Sequence, residues 1–239
     1  MKLYRLIGRR HLLKLVTLSS VGSLLGYAQS VEAAELEVSA NQKNSEPVSP
    51  DAALKRLLDG NKRFMQFHPE YPNHSQARLQ AVATAQRPFA TLLSCADSRV
   101  PAEIIFDRGI GDLFDVRIAG NVVTPEALGS IEYAVAVLGS PLIMVMGHER
   151  CGAVTAAVKG EILPGQIGTF VKAIKPAIAN LQSKSDEDVE NAVVANVQYQ
   201  VNKLRQSDLL NHLVLEDKLK IVGGRYDLDT GEVTIIRNS

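Results

Sequence analysis

Phe89-Ala90-Thr91-Leu92-Leu93-Ser94-Cys95-Ala96-Asp97-Ser98-Arg99 is the stretch on which the fold turns. A short apolar run follows Pro88 and stops at a cysteine and an acid–base pair. Leu113–Ile118 and Leu142–Met146 are two more such runs, rich in branched side chains. Short continuous apolar runs are what strands covered on both faces of a parallel sheet look like. Between the second and third runs, Thr124-Pro125-Glu126 offers an N-cap, a proline at the first helical position and an acid in the first turn, opening an amphipathic stretch to Gly139. Strand, helix, strand predicts right-handed crossovers in a parallel sheet.

Upstream, Ser49 is placed to cap a helix that starts at Pro50 and carries Leu54, Leu57, Leu58 and Phe64 at helical spacing. A second helix is predicted over Ser75 to Gln86. Downstream, Ser185 precedes three acids and opens a helix to about Arg205, and another begins near Ser207. The chain ends as a hairpin: Lys220-Ile221-Val222-Gly223-Gly224-Arg225-Tyr226-Asp227, the turn signal Asp229-Thr230-Gly231, then Val233-Thr234-Ile235-Ile236. The expected architecture is α/β: a mostly parallel central sheet of four strands plus an antiparallel C-terminal edge strand, flanked by helices, with an N-terminal helical arm. A chain of 239 residues with 46% hydrophobic content suits one well-buried domain, placed at 49–239. Neither an internal repeat nor a low-complexity tract is present.

The first residues differ in kind. Lys2, Arg5, Arg9, Arg10 and Lys14 precede an uncharged apolar run from Leu15 to Ala28, and small residues follow to Ala34. This reads as a signal peptide over 1–33, followed by a polar, flexible leader over 34–48. The apolar run is shorter than the roughly 20 residues needed to cross a bilayer. Arg9-Arg10 resembles a twin-arginine export signal, a route for folded proteins. The expected destination is therefore the periplasm or another extracytoplasmic compartment, with no stable membrane span once the signal is removed. Basic and acidic side chains balance at 26 each, and removing 1–33 leaves 21 basic against 25 acidic. That balance excludes a strongly basic nucleic-acid surface.

Cys95 and Cys151 are the two cysteines, and each lies just past a predicted strand, the second within Gly147-His148-Glu149-Arg150-Cys151-Gly152. In open α/β sheets, ligands bind beyond the carboxyl ends of strands where the order reverses. If the first and third strands are neighbours, about 4.8 Å apart, the two loops converge. Two thiolates and an imidazole suit Zn²⁺ and leave a fourth tetrahedral position open, the mark of a catalytic site. His148 and Cys151 sit at a helix start, whose positive end favours ionised sulfur. The alternative is a Cys95–Cys151 disulfide, the ordinary outcome for paired cysteines in an oxidising compartment, in an exported metal-free binding or redox module. A disulfide requires neither His148 nor an Asp-Arg pair.

Cys-x-Asp-x-Arg followed, 53 positions after Cys95, by His-x-x-Cys-Gly resembles the zinc signature of the beta-class carbonic anhydrases. The likeness runs from about Ser49 to Ile236 and includes Leu57, Gly60, Asn61 and Phe64 and the ending Gly224–Asp227. It implies one Zn²⁺ per subunit on Cys95, His148 and Cys151, and reversible hydration of carbon dioxide to bicarbonate and a proton by zinc-bound hydroxide. It also implies that Asp97 and Arg99 form the catalytic pair beside the metal. Gln86, nine positions before Cys95, falls where relatives with an open site place a pocket glutamine, and Phe114, Tyr133 and Ala119 fall at the other pocket positions. The pocket in that family is completed across a dimer, so a homodimer or larger even assembly is expected. Hydrolysis of carbonyl sulfide or carbon disulfide on the same cradle is the alternative reaction.

Overall fold

The computed structural model describes residues 48–181 and 186–237. The expected signal peptide and nearly all of the leader lie outside them, as does Ser185. Among the described residues no helix is long and apolar enough to cross a membrane.

Five strands form one sheet: β1 (Ala90–Ser94), β2 (Leu113–Arg117), β3 (Leu142–His148), β4 (Lys220–Tyr226) and β5 (Val233–Ile236). Their order is β2-β1-β3-β4-β5, with the first four parallel and β5 antiparallel to β4. The expected mixed sheet is thus observed, and β1 and β3 are neighbours. β1 and β3 are buried along their whole length, as their unbroken apolar runs demand. β2 is an edge strand and only half-buried, and its run includes Asp115 and Arg117.

The arm helix α1 (Pro50–Met65) starts as expected: the Ser49 hydroxyl accepts the Ala52 N–H at 3.3 Å, with Pro50 at the first position. Its buried Asn61 donates to the carbonyls of Ile105 and Gly231 and accepts the Val233 N–H, tying the arm to the terminal hairpin. Helix α2 (Gln76–Ala81) stops five residues short of the expected Gln86. Val82 and Thr84 are β-branched, no apolar face continues past Ala81, and Pro88 disfavours helix in the residue before it. There follow α3 (Ala102–Ile105), α4 (Pro125–Ala136, capped by Thr124), α5 (Gly152–Lys159), α6 (Gly168–Ile174), α7 (Asp186–Arg205) and α8 (Asp208–Leu215).

Helices cover both faces of the sheet. On one, Leu57 of α1 joins Leu92, Phe106, Met144 and Val233. On the other, Ile131 of α4, Val197 and Leu204 of α7 and Leu210 of α8 pack on Leu93, Ile143 and Val145. Each such side chain stabilises the fold by about 1.5–3 kcal/mol when fully buried. Helix α7 reaches the sheet closely because β3 and β4 present glycine there. A Cβ on Gly147 would lie 2.6 Å from Val197 Cγ2, and one on Gly223 would lie 2.8 Å from Val197 Cγ1. A third cluster, from α5, α6 and α7, surrounds Cys95 and Cys151.

Candidate metal centre

The register pairs Ser94 with Met146, so Cys95, the first residue past β1, comes beside the carboxyl end of β3, whose last residue is His148. Cys151 occupies the N-cap position of α5, where no side chain caps the helix. The amides of Ala153 and Val154 instead face its sulfur. Both cysteines are free, and the two sulfurs and a ring nitrogen of His148 all lie within 4.8 Å of one another.

His148 is fully buried. Its Nδ1 lies 2.8 Å from the carbonyl oxygen of Glu149, while Nε2 is buried without a hydrogen-bond partner. An imidazole nitrogen left bare beside two thiols is a donor atom waiting for a cation, since a buried polar atom without a partner is costly. The sulfurs behave as a coupled pair. Hydrogen bonds from the Cys151 thiol, then His148 and the amides of Gly120 and Asp97, bring the Cys95 thiol down against the opposing effect of burial. The hydrogen bond with Cys95, then burial and the charge on Cys95, push Cys151 up. One sulfur ionises readily and the second resists; a divalent cation removes that resistance. Zinc bonds of about 2.3 Å to sulfur and about 2.0–2.1 Å to nitrogen fit donors this close. The residues therefore fit Zn²⁺.

Beside this triad, Asp97 accepts the Arg99 backbone N–H and Nε–H on Oδ1, each at 2.9 Å, and the Arg99 Nη2–H on Oδ2 at 2.8 Å. Oδ2 also lies 3.8 Å from His148 Nε2. The Arg99 guanidinium holds the Asp97 carboxyl well below the usual carboxylate range. Thus the five residues expected at the centre are together. The pocket residues lie elsewhere: Gln86 and Tyr133 line one open groove with Val82, Ile110 and Leu138, and that lining includes none of the five. The Phe114 ring lies 6.5 Å from that of Tyr133.

Several groups around the centre were not foreseen. Arg117, at the end of β2, donates to the carbonyls of Cys95 and Asp97 and so pins the loop that carries both. Arg150, at φ 49°, donates its N–H to Glu190 and pairs with Asp229. Arg225 bridges Glu149 and Glu190, and Glu149 also accepts the Leu228 N–H. This network grips the turn between His148 and Cys151. A charged residue at the end of an apolar strand was the one sequence signal for Arg117; the rest come from segments far apart in the chain.

The family model described as carbonic anhydrase matches residues 90–233. Carbonic anhydrase 2 of Mycobacterium tuberculosis is 40% identical over 195 residues, covering 78% of this chain and 93% of the relative. The carbonic anhydrase of Mycolicibacterium smegmatis is 40% identical over 203 residues, covering 80% and 94%. Among solved structures, one of two tetrameric beta-carbonic anhydrases from Sordaria macrospora superposes with a TM-score of 0.63 at 25% identity, covering 75% of this chain and 94% of that one. With fold, signature and relatives in agreement, the chain belongs to the beta-class carbonic anhydrases, the carbonate dehydratases that interconvert carbon dioxide and bicarbonate.

Proposed function

We propose that each subunit holds one Zn²⁺ on Cys95, His148 and Cys151 and uses it for the reversible hydration of carbon dioxide. The observation that carries the reading is the bare, fully buried Nε2 of His148 facing two free cysteine sulfurs. Bound there, the ion supplies a Lewis acid that ionises water near neutral pH. Two thiolates cancel its formal charge, so neighbouring groups must assist. Asp97, kept ionised by Arg99, orients the O–H of the attacking water, and Arg99 fixes the carboxylate in place. The Gln86 amide and the rings of Phe114 and Tyr133 suit a small apolar substrate with one oxygen to hold.

Because Gln86 and Tyr133 line a groove apart from the residues of their own centre, we place them against the centre of a second copy, in a homodimer or larger even assembly. The tetrameric Sordaria relative agrees with that reading. The basic-then-apolar N-terminus supports export to the periplasm or a comparable compartment. Zinc analysis of the purified mature protein, paired with stopped-flow hydration of carbon dioxide, tests the proposal. About one zinc per chain, with activity lost to a chelator and restored by zinc, supports it. An active sample that is metal-free, with Cys95 bonded to Cys151, would sink it.

A further inference from the structure

Two amides one helical turn apart on α7, Asn196 and Gln200, are completely buried on a face otherwise made of Ala192, Val193, Val197, Val201 and Leu204. Neither belongs to the zinc signature. Burying an amide is unfavourable unless its hydrogen bonds are met, and these are met in a specific way. The Asn196 Nδ2–H donates to the Gly120 carbonyl at 2.9 Å. Gln200 donates from Nε2 to Asn196 Oδ1 at 3.0 Å, and its Oε1 accepts the Val123 N–H at 2.9 Å. Lys203, further along the helix, donates to the Val123 carbonyl at 2.7 Å.

The segment they grip is unusual. Gly120 and Asn121 both stand at positive φ, 71° and 46°. A Cβ on Gly120 would lie 2.7 Å from Ile174 Cδ1, so this position takes glycine for space as well as for φ. A turn of this kind persists only where its surroundings over-determine it. It also performs one task at the centre: the Gly120 N–H points at the Cys95 sulfur, 3.3 Å away.

We propose that Asn196 and Gln200 are positioning residues for the metal centre, holding the 120–123 turn so that the Gly120 N–H stays on the Cys95 sulfur. That bond draws electron density from the thiolate and leaves more positive charge on the ion, which a centre with two thiolates needs. The inference rests on the zinc reading above. It adds a source of tuning 101 positions along the chain from the ligand it serves.

The test uses Co²⁺ as a spectroscopic probe in the full-length protein, with Zn²⁺ affinity measured by chelator competition. Asn196→Leu and Gln200→Met remove the grip. Val201→Ala, on the same buried face but making none of the hydrogen bonds to the turn, is the control for simple loss of packing. The expected result is a thiolate-to-cobalt charge-transfer band at lower energy and zinc affinity down about tenfold in both amide variants, with Val201→Ala unchanged in both. Should Asn196→Leu fail to fold, Gln200→Met carries the comparison. Wild-type bands and affinity in the amide variants, or an equal shift in Val201→Ala, would overturn the inference. A wild-type protein that takes up neither metal would overturn the zinc reading instead.

Discussion

The Nδ1 of His148 lies 2.8 Å from the carbonyl oxygen of Glu149, its own neighbour in the chain. A carbonyl only accepts, so Nδ1 must carry the proton and Nε2 the lone pair. The metal-competent tautomer is therefore built into the backbone, provided the 149–151 turn is held. Arg225 holds it by binding the Glu149 carboxylate and by bridging to Glu190.

Arg225→Ala should accordingly weaken zinc binding without removing a ligand. The expected loss is about 10- to 100-fold in affinity, as for other groups that orient a ligand. Competition with a chelator at fixed pH measures it. Unchanged affinity would show that the turn stands without the ion pairs.

Ligand removal should look different. Cys95→Ala, His148→Ala and Cys151→Ala each leave two donors, too few to hold the ion firmly, so zinc per chain and hydration activity should both fall to background. Asp97→Asn keeps all three donors and nearly the same shape. Its zinc content should stay near wild type while kcat falls about a hundredfold, the low end of what positioned proton-handling groups contribute. Metal analysis beside stopped-flow rates separates the two classes, and full activity in any ligand variant refutes the assignment.

Asp115 gives a pH prediction of unusual sign. Burial, and then the nearby charge of Glu103, raise its carboxyl from 3.8 to about 7, with Arg117 opposing, and its Oδ1 is buried without a partner. Between those two values the folded chain binds more protons than the unfolded one, so stability falls as pH rises from about 4 to about 7 and levels off above. Asp115→Asn removes the charge that must be buried. It should gain up to about 4 kcal/mol at pH 8, the linkage free energy of a carboxyl held near 7 instead of near 4, with the gain vanishing below about pH 4. Urea unfolding across that range checks both the size and the direction.

What the sequence disclosed follows from how local each signal is. Strand runs, the Thr124 and Ser49 caps and the terminal hairpin are written in consecutive residues, and all were legible. The metal set was legible because Cys95, His148 and Cys151 follow strands that a parallel sheet brings together. Of helix α5 only the start, at His148 and Cys151, was legible, because its cap position is occupied by Cys151, whose sulfur faces the helix amides in place of the usual hydroxyl or carboxylate. Asn196 and Gln200 look like ordinary polar residues of a surface helix until burial is known. The separation of Gln86 from the centre of its own chain is a property of the folded surface that no spacing along the chain encodes.

The seat of α7 on the sheet yields the last prediction. Gly147 immediately precedes His148, and a Cβ there would lie 2.6 Å from Val197 Cγ2 and 3.0 Å from Val193 Cγ1. Both neighbours are buried β-branched side chains with little freedom to turn aside. Gly147→Ala should therefore force α7 outward and cost about 1–3 kcal/mol, as overpacking typically does. Val197→Ala alone should cost about 2 kcal/mol by leaving a cavity. Combined, the two changes put a methyl group where one was removed, so the double variant should be more stable than the sum of the single losses predicts, by at least about 0.5 kcal/mol. Thermal or urea unfolding of the four-member cycle reads that coupling directly. Strict additivity would mean that the close contact between strand and helix is relieved by backbone movement instead of by Val197.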